Sequence, residues 1–376
     1  MSVPIFYQGR AVLTPEGWRE HHGVLVQDRR IAAILPRAPS GAARAAVPPE
    51  AWLAPGFIDI QVNGGGGALF NDDPSAACAR HIAAAHRRLG TTGILPTLIT
   101  SAQDTMAQAA AAMPAALGQG VLGIHFEGPF LSPGKPGVHR ADYLRAPAGD
   151  DLRRLETLAG TLAAPVLLTL APECVPESAQ ARLAAAGVIL AAGHSVASFE
   201  QIGPAITGVT HIFNAMAPIA ARAPGVAAAG LGATLYAGVI ADLIHVHPAL
   251  LRVLIAAKPA DRIMLVSDSM SVAGTAAESF TLQGRQILRR GGRLETADGV
   301  LAGADLSLAQ AVRNMVDALG VAPETAIGWA SAVPADFLRI GAARGRIAPG
   351  LAADLTLLTP ALEVIGTVLA GEHAPA

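Results

Sequence analysis

Six polar residues between positions 61 and 268 share one trait: each stands at or near the close of an apolar run. Gln61 and Asn63 follow GFIDI, Glu127 ends VLGIHFE, His194 ends VILAAGH, His211 lies in VTHIFNAM, and Asp268 lies in RIMLVSDS. One carboxylate and two imidazoles (Glu127, His194, His211) make a three-ligand set with a fourth position open, as catalytic zinc prefers. A separate carboxylate, Asp268, then takes the proton from the activated water. Singly, each has a plainer reading: strand histidines as hydrogen-bonded core, Glu127 as a cap or ion-pair member, Asp268 as a turn starter. The joint pattern is what points to metal-assisted hydrolysis. Gln61 and Asn63, spaced i, i+2, point to one side of a strand, where many metal-dependent hydrolases built on barrels carry His-x-His. Neutral amides are poor zinc ligands and good hydrogen-bonding groups. The expectation is one metal per site, with both amides facing the vacant second position.

Other residues sort less sharply. His125 shares a strand side with Glu127, as a fourth ligand or, the reading preferred here, as barrel interior. His139 ends the flexible stretch LSPGKPGVH, and a loop of that kind can bring it over the site. His245 follows the seventh apolar run. His21, His22, His81, His86 and His373 fall on exposed-looking segments and receive no role. Gly64–Gly67 lacks the spacing of a phosphate loop and is read as tight backbone near a ligand or metal. Phosphate recognition is better sought in HIFNAMAPIAARAPG, where Arg222 offers a planar fork or, alternatively, is a solvated loop charge.

Eight apolar runs must position these groups: LAPGFIDI, GILPTLI, VLGIHFE, PVLLTLAP, VILAAGH, VTHIFNAM, TLYAGVIAD and RIMLVSDS. Separated by Ala/Leu-rich helical segments, they predict a parallel sheet, as a (β/α)8 barrel or its rival, a doubly wound sheet. A hairpin-like insertion, FTLQGRQILRRGGRLETADGVLAG, precedes final helices near 306–319 and 323–340. Strand-like pieces at both ends are expected to pair into one small β domain, since lone edges are a liability. The chain's 376 residues, 52% hydrophobic and 15% charged with a net charge of −2, allow a large core and give no nucleic-acid footprint. Two distant cysteines fit a reducing compartment. MSVPIFYQGRAVL is unlike a signal peptide, and the uncharged stretch between Arg222 and Asp242 reads as loop and buried strand, so a soluble, cytoplasmic protein is expected.

The segments PGFIDIQVNGGGG, HFEGPFLSPGKPGVH, AAGHS, THIFNAM, ARAPG and LVSDS, in that order, resemble the N-acetylglucosamine-6-phosphate deacetylases of the amidohydrolase superfamily. The resemblance covers nearly the whole chain, and HFEGPF together with THIFNAM is its specific part. It implies an α/β fold: a (β/α)8 TIM-type barrel over residues 54–344, with a small β-sandwich domain formed by residues 1–53 plus 345–376. It further implies Glu127, His194 and His211 as ligands of one divalent metal per subunit, zinc in the first place and Fe2+, Co2+ or Mn2+ otherwise. Asp268 would be the catalytic acid/base, and His139 would polarise the substrate carbonyl. Asn214, Ala215, Arg222 and His245 would bind the sugar phosphate, with Gln61 and Asn63 as substrate-side amides. The implied partner is an amino-sugar phosphate, and the implied assembly a homodimer with part of each site supplied by the neighbour. The galactosamine epimer and a non-catalytic sugar-phosphate sensor are the rival readings. Ser267 and Ser269 depart from the family, where residues more like Thr and Ala are expected.

Overall fold

The structure is a computed structural model and describes residues 3–376. Eight strands, β1 (Phe57–Val62), β2 (Thr91–Ile99), β3 (Ile124–Glu127), β4 (Val166–Leu170), β5 (Ile189–Ala192), β6 (Ile206–Val209), β7 (Tyr236–Val239) and β8 (Ile263–Leu265), pair in sequential order. Every pair is parallel. The ring closes where Val62 bridges Ser269 and the Asp268 amide donates to the Gln61 carbonyl at 3.0 Å. β1, β2, β3, β4 and β5 are buried at every position, which is why they read as unbroken apolar runs. Helices between strands cover the outside; Ala76–Arg88 is capped by Ser75, whose hydroxyl accepts from the Cys78 amide.

Several runs end sooner as strands than their composition suggests. LAPGFIDI divides at Gly56, with Trp52–Pro55 joining another sheet. β6 stops at Val209, so His211 lies two residues beyond it, and β8 stops at Leu265, three residues before Asp268. The expected last helix is two, Pro323–Trp329 and Ala332–Phe337. The insertion is a four-stranded antiparallel sheet spanning Ser279–Leu282, Arg285–Arg290, Arg293–Glu295 and Leu301–Ala304. Its Leu282, Ile287, Leu294 and Ala302 pack on Ile99, Val138 and Met270, which fixes it over one side of the barrel mouth.

The two ends of the chain build two further sheets. In the six-stranded one, Leu355–Leu358 pairs antiparallel with Trp52–Pro55, so the C-terminal segment sits beside the N-terminal one. The four-stranded one contains Ile5–Gln8, Gly23–Gln27, Arg30–Leu35 and Ala43–Arg44. Tyr7, Val12, Val24, Leu53, Leu355 and Val368 form a core of their own between them.

Candidate active site

The C-terminal ends of the barrel strands turn their next residues inward. His194, His211 and Asp268 all adopt left-handed backbone, with φ of 49°, 28° and 49°. Each such non-glycine residue costs on the order of 1–3 kcal/mol and persists only where its surroundings over-determine it. Those surroundings are visible. The His194 carbonyl accepts from the Ser132 amide at 2.9 Å, and its Nδ1 meets the Lys135 carbonyl at 3.0 Å. Glu173, after β4, accepts from the Ser195 hydroxyl at 2.6 Å and the Val196 amide at 2.7 Å. Ser267 and Ser269 bracket Asp268. The Ser267 hydroxyl donates to the Gln61 carbonyl, its amide donates to Asp59 Oδ1, and Ser269 Oγ reaches the Gly64 carbonyl and His86 Nε2. The two serines thus hold the backbone that aims the aspartate.

Within the mouth, Glu127 Oε1 lies 3.2 Å from His194 Nε2 and 2.9 Å from His211 Nε2, and the two imidazole nitrogens are 3.2 Å apart. All three residues are buried. Because a carbonyl can only accept, His194 carries a proton on Nδ1, and Nε2 is the nitrogen it turns toward Glu127 and His211 and can offer to a cation. His211 Nδ1 is buried with no hydrogen-bond partner. Three electron-pair donors converging about 3 Å apart match three corners of a tetrahedral site, whose edges are about 3.3 Å for ligand distances near 2.0–2.1 Å. The residues therefore fit a divalent cation. A wider grouping, Glu127, His139 and His194, has ligand atoms within 4.8 Å. The triangle with His211 is the tighter cradle, since His139 Nε2 stands 4.0 Å from Glu127 Oε2.

His139 arrives on the loop after β3. Its Nδ1 faces the Thr100 hydroxyl at 2.8 Å and the Thr100 amide at 3.4 Å. A backbone N–H only donates, so Nδ1 accepts and the proton sits on Nε2. Burial and the neighbouring His194 push its pKa down to about 3, which keeps the ring neutral. Gln61 Nε2 donates to Glu127 Oε1 at 3.1 Å and Asp268 Oδ1 at 3.3 Å, and Asn63 Nδ2 donates to the same Asp268 oxygen at 2.7 Å. Both amides of QVN thus face one side and tie the two carboxylates together. Burial first, then the Glu127 charge, raise Asp268 to about 6.

Asn214, Ala215 and His245 line the same cavity of about 270 Å3, together with Ile240, Met270 and Val300. His245 Nδ1 contacts Asp242 Oδ2 at 2.6 Å. Arg222 does not reach this wall; it is exposed, in the Ala220–Ala223 turn. His125 is inside the barrel, between Thr97 and Thr169 hydroxyls. Two readings are corrected. His86 is buried rather than exposed, its Nε2 2.9 Å from the Gly64 carbonyl. In the glycine run, Gly64 and Gly65 answer to close packing: a Cβ on Gly65 would stand 2.9 Å from the His86 ring, and one on Gly64 2.4 Å from the Ala68 carbonyl. Thr100, Glu173 and the insertion's Val300 and Leu301 were not singled out from sequence. Only Thr100, closing the second apolar run, carried a signal comparable to the other strand-end residues.

A (β/α)8 barrel with a carboxylate–imidazole cluster at its mouth defines a class, and residues 52–373 match the Amidohydrolase family; the chain belongs to it. Among its relatives is the N-acetylgalactosamine-6-phosphate deacetylase of Shewanella sp. (strain ANA-3), 37% identical over 97% of this chain and 94% of that one. The N-acetylglucosamine-6-phosphate deacetylase of Haemophilus influenzae is 33% identical over 85% and 86%. The crystal structure of N-acetylglucosamine-6-phosphate deacetylase from Pasteurella multocida superposes with a TM-score of 0.94 at 31% identity, covering 99% and 100% of the two chains. An aspartate-to-alanine mutant of the Mycobacterium smegmatis enzyme, in complex with N-acetyl-D-glucosamine-6-phosphate, gives 0.90 at 28% identity, covering both chains fully. The family is one of metal-dependent hydrolases, and these neighbours share the fold.

Proposed function

We propose that the chain hydrolyses the acetamide of N-acetylglucosamine 6-phosphate, releasing acetate and glucosamine 6-phosphate. The observation that carries this is the pairing, in one mouth, of the Glu127–His194–His211 triangle with a separate carboxylate, Asp268, bonded to both amides of QVN. Glu127, His194 and His211 would hold one divalent cation, with zinc the first choice for two imidazoles and a carboxylate. Such a cation supplies Lewis acidity, polarising an acyl oxygen and making water a usable nucleophile near neutral pH.

The chain's own groups do the rest. Asp268, ionised above pH 6, takes a proton from the attacking water as the new C–O bond forms. It returns that proton to the sugar nitrogen as the C–N bond breaks. His139 Nε2–H, neutral and oriented by Thr100, donates to the developing oxyanion, a contribution of roughly 3–4 kcal/mol for one well-placed donor. Gln61 and Asn63 hold Asp268 and contact water or substrate. Asn214, Ala215 and His245 take the phosphate end. Arg222, exposed and outside its own cavity, serves the neighbouring copy of a homodimer, giving each site a cation its own chain leaves out. Two bodies make up the unit, residues 54–344 and residues 1–53 plus 345–376, of which residues 1 and 2 lie outside those described. The pairing of Leu355–Leu358 with Trp52–Pro55 supports joining the two ends in one body, with that strand running two residues past position 53. A cytoplasmic location fits two unpaired cysteines; among the described residues no helix is long and apolar enough to cross a membrane.

The 37%-identical Shewanella relative favours a second reading, the galactosamine epimer. Acetate release from both N-acetylhexosamine 6-phosphates, with and without chelator and after metal analysis, decides. The expected result is one metal per subunit, loss of turnover with chelator and preference for the glucosamine epimer. Turnover insensitive to chelation would sink the assignment, and two tight metals at full activity would overturn the single-metal expectation.

A further inference from the structure

The barrel's other end carries a feature that hydrolysis does not use. Gly118–Leu122 leads into β3 and Ala163–Pro165 into β4, so both lie at the N-terminal face, opposite the mouth. Between these segments, helix Ala76–Arg88 and turns of the terminal sheets is a cavity of about 790 Å3, larger than the mouth and sharing no residue with it. Arg29, Arg80, Arg87 and Arg344 line it, against two acidic residues, Asp354 and Glu372. Arg344 pairs with Asp354 at 2.9 Å. The other three guanidiniums form no ion pair among the described residues. Arg80 donates to the Ala115 carbonyl, and Arg87 to the Glu372 carbonyl and the Thr367 hydroxyl. These contacts fix the two groups in place; Arg87 also acts through its charge on Asp354, and Arg80 is met by a carbonyl alone. Arg80 and Arg87 are only partly exposed, so water screens them less than it does a free surface arginine.

Apart from Gln119, the rest of the wall is glycine or apolar, with Leu117, Val121, Leu122, Ile340 and Leu369 its larger side chains. Small-molecule sites of about 300–1,000 Å3 favour seams between structural units, with a few polar groups fixing a mostly apolar ligand. Guanidinium forks match phosphate oxygens, two donors at a time. We propose that this cavity binds a phosphorylated small molecule of nucleotide size, its phosphates on Arg29, Arg80 and Arg87 and its body against Leu117, Leu122 and Leu369. Since walls come from the barrel and from the terminal sheets, an occupant clamps the two and raises the thermal midpoint by mass action. The inference does not rest on the hydrolytic reading.

Calorimetric titration of the metal-loaded full chain tests it, with ADP as probe and pyrophosphate as a probe without a body. One ADP per chain is expected, with pyrophosphate weaker by about tenfold or more. Arg29→Ala with Arg80→Ala should weaken ADP by about tenfold or more. Ala84→Glu, which adds a negative charge to the same wall and removes no contact, should do the same. The thermal midpoint of Ala84→Glu without ADP should match the parent, and Asp268→Asn should bind ADP normally. No binding at millimolar ADP, binding that survives both variants, or displacement by a hexosamine phosphate would overturn the site. Equal affinity for ADP and pyrophosphate would overturn the role of the apolar wall.

Discussion

Glu127, buried, and Asp268, half-buried, are two carboxylates of one mouth, joined through the Gln61 amide, yet their surroundings hold them in opposite conditions. Burial pushes both upward. At Glu127 the His194 and His211 contacts outweigh it and hold the carboxyl well below the usual range. At Asp268 the neighbouring negative charge adds to burial, the Asn63 bond offsets only part, and the pKa rises to about 6. The lesson is that burial alone assigns neither role. Partners do: imidazoles make a permanent anion fit to hold a cation, and neutral amides leave a carboxylate free to exchange a proton near neutrality.

The largest test of that contrast is Asp268→Asn. Steady-state kinetics should show kcat reduced about 10²–10⁴-fold, with metal content unchanged; a variant that turns over normally removes Asp268 from the proton path. Asp59 sharpens the contrast from the other side, as a buried carboxylate with no cation near it. Burial raises it to about 7, and its Oδ2 has no partner. A folded pKa above the unfolded value of about 3.9 means that stability is fully present below about pH 4 and lost as pH rises through 7, by about 4 kcal/mol at most. Denaturant titrations at pH 5 and 8 should show about 3 kcal/mol of that loss in the parent and none of it in Asp59→Asn. An equal loss in both would place the pH dependence elsewhere.

Arg222→Ala should raise KM for phosphorylated substrates by about tenfold with kcat nearly unchanged. An equal rise for non-phosphorylated N-acetylglucosamine would make the residue structural. The smallest effect is expected at Asn63→Ala. Loss of the 2.7 Å bond raises Asp268 further, so the acid limb of kcat/KM should move to higher pH, by about one unit or less. A limb that stays in place, or moves down, would mean that Asn63 does not tune the aspartate.

Sequence carried the barrel because strands buried on both faces leave unbroken apolar runs, and each chemical residue closed one of those runs. It did not carry how the runs end. VTHIFNAM reads as a single strand, yet the chain leaves β6 at Val209 and turns left-handed at His211, Phe213 and Ala215. Left-handed backbone at non-glycine residues is imposed by tertiary bonds such as the His194–Lys135 contact, and these have no local signature. His86 misled for a related reason. Its helix is polar overall, and only the folded barrel shows that this turn packs under the glycine run. Arg222 is exposed and stands off the wall of the mouth, a placement that nothing local in ARAPG announces.

One detail of the terminal sheets bears on how the protein is made. The strand Trp52–Pro55 is flanked by Ala11–Thr14 on one side and Leu355–Leu358 on the other. During synthesis the first neighbour is already present, but the second emerges roughly 300 residues later, on the order of 15–60 s at typical elongation rates. Throughout that interval the strand has no C-terminal neighbour to cover its edge, and all of the barrel's residues are synthesised before one emerges. Translation speed and chaperone occupancy therefore matter more for this fold than for one whose sheet partners are neighbours in sequence.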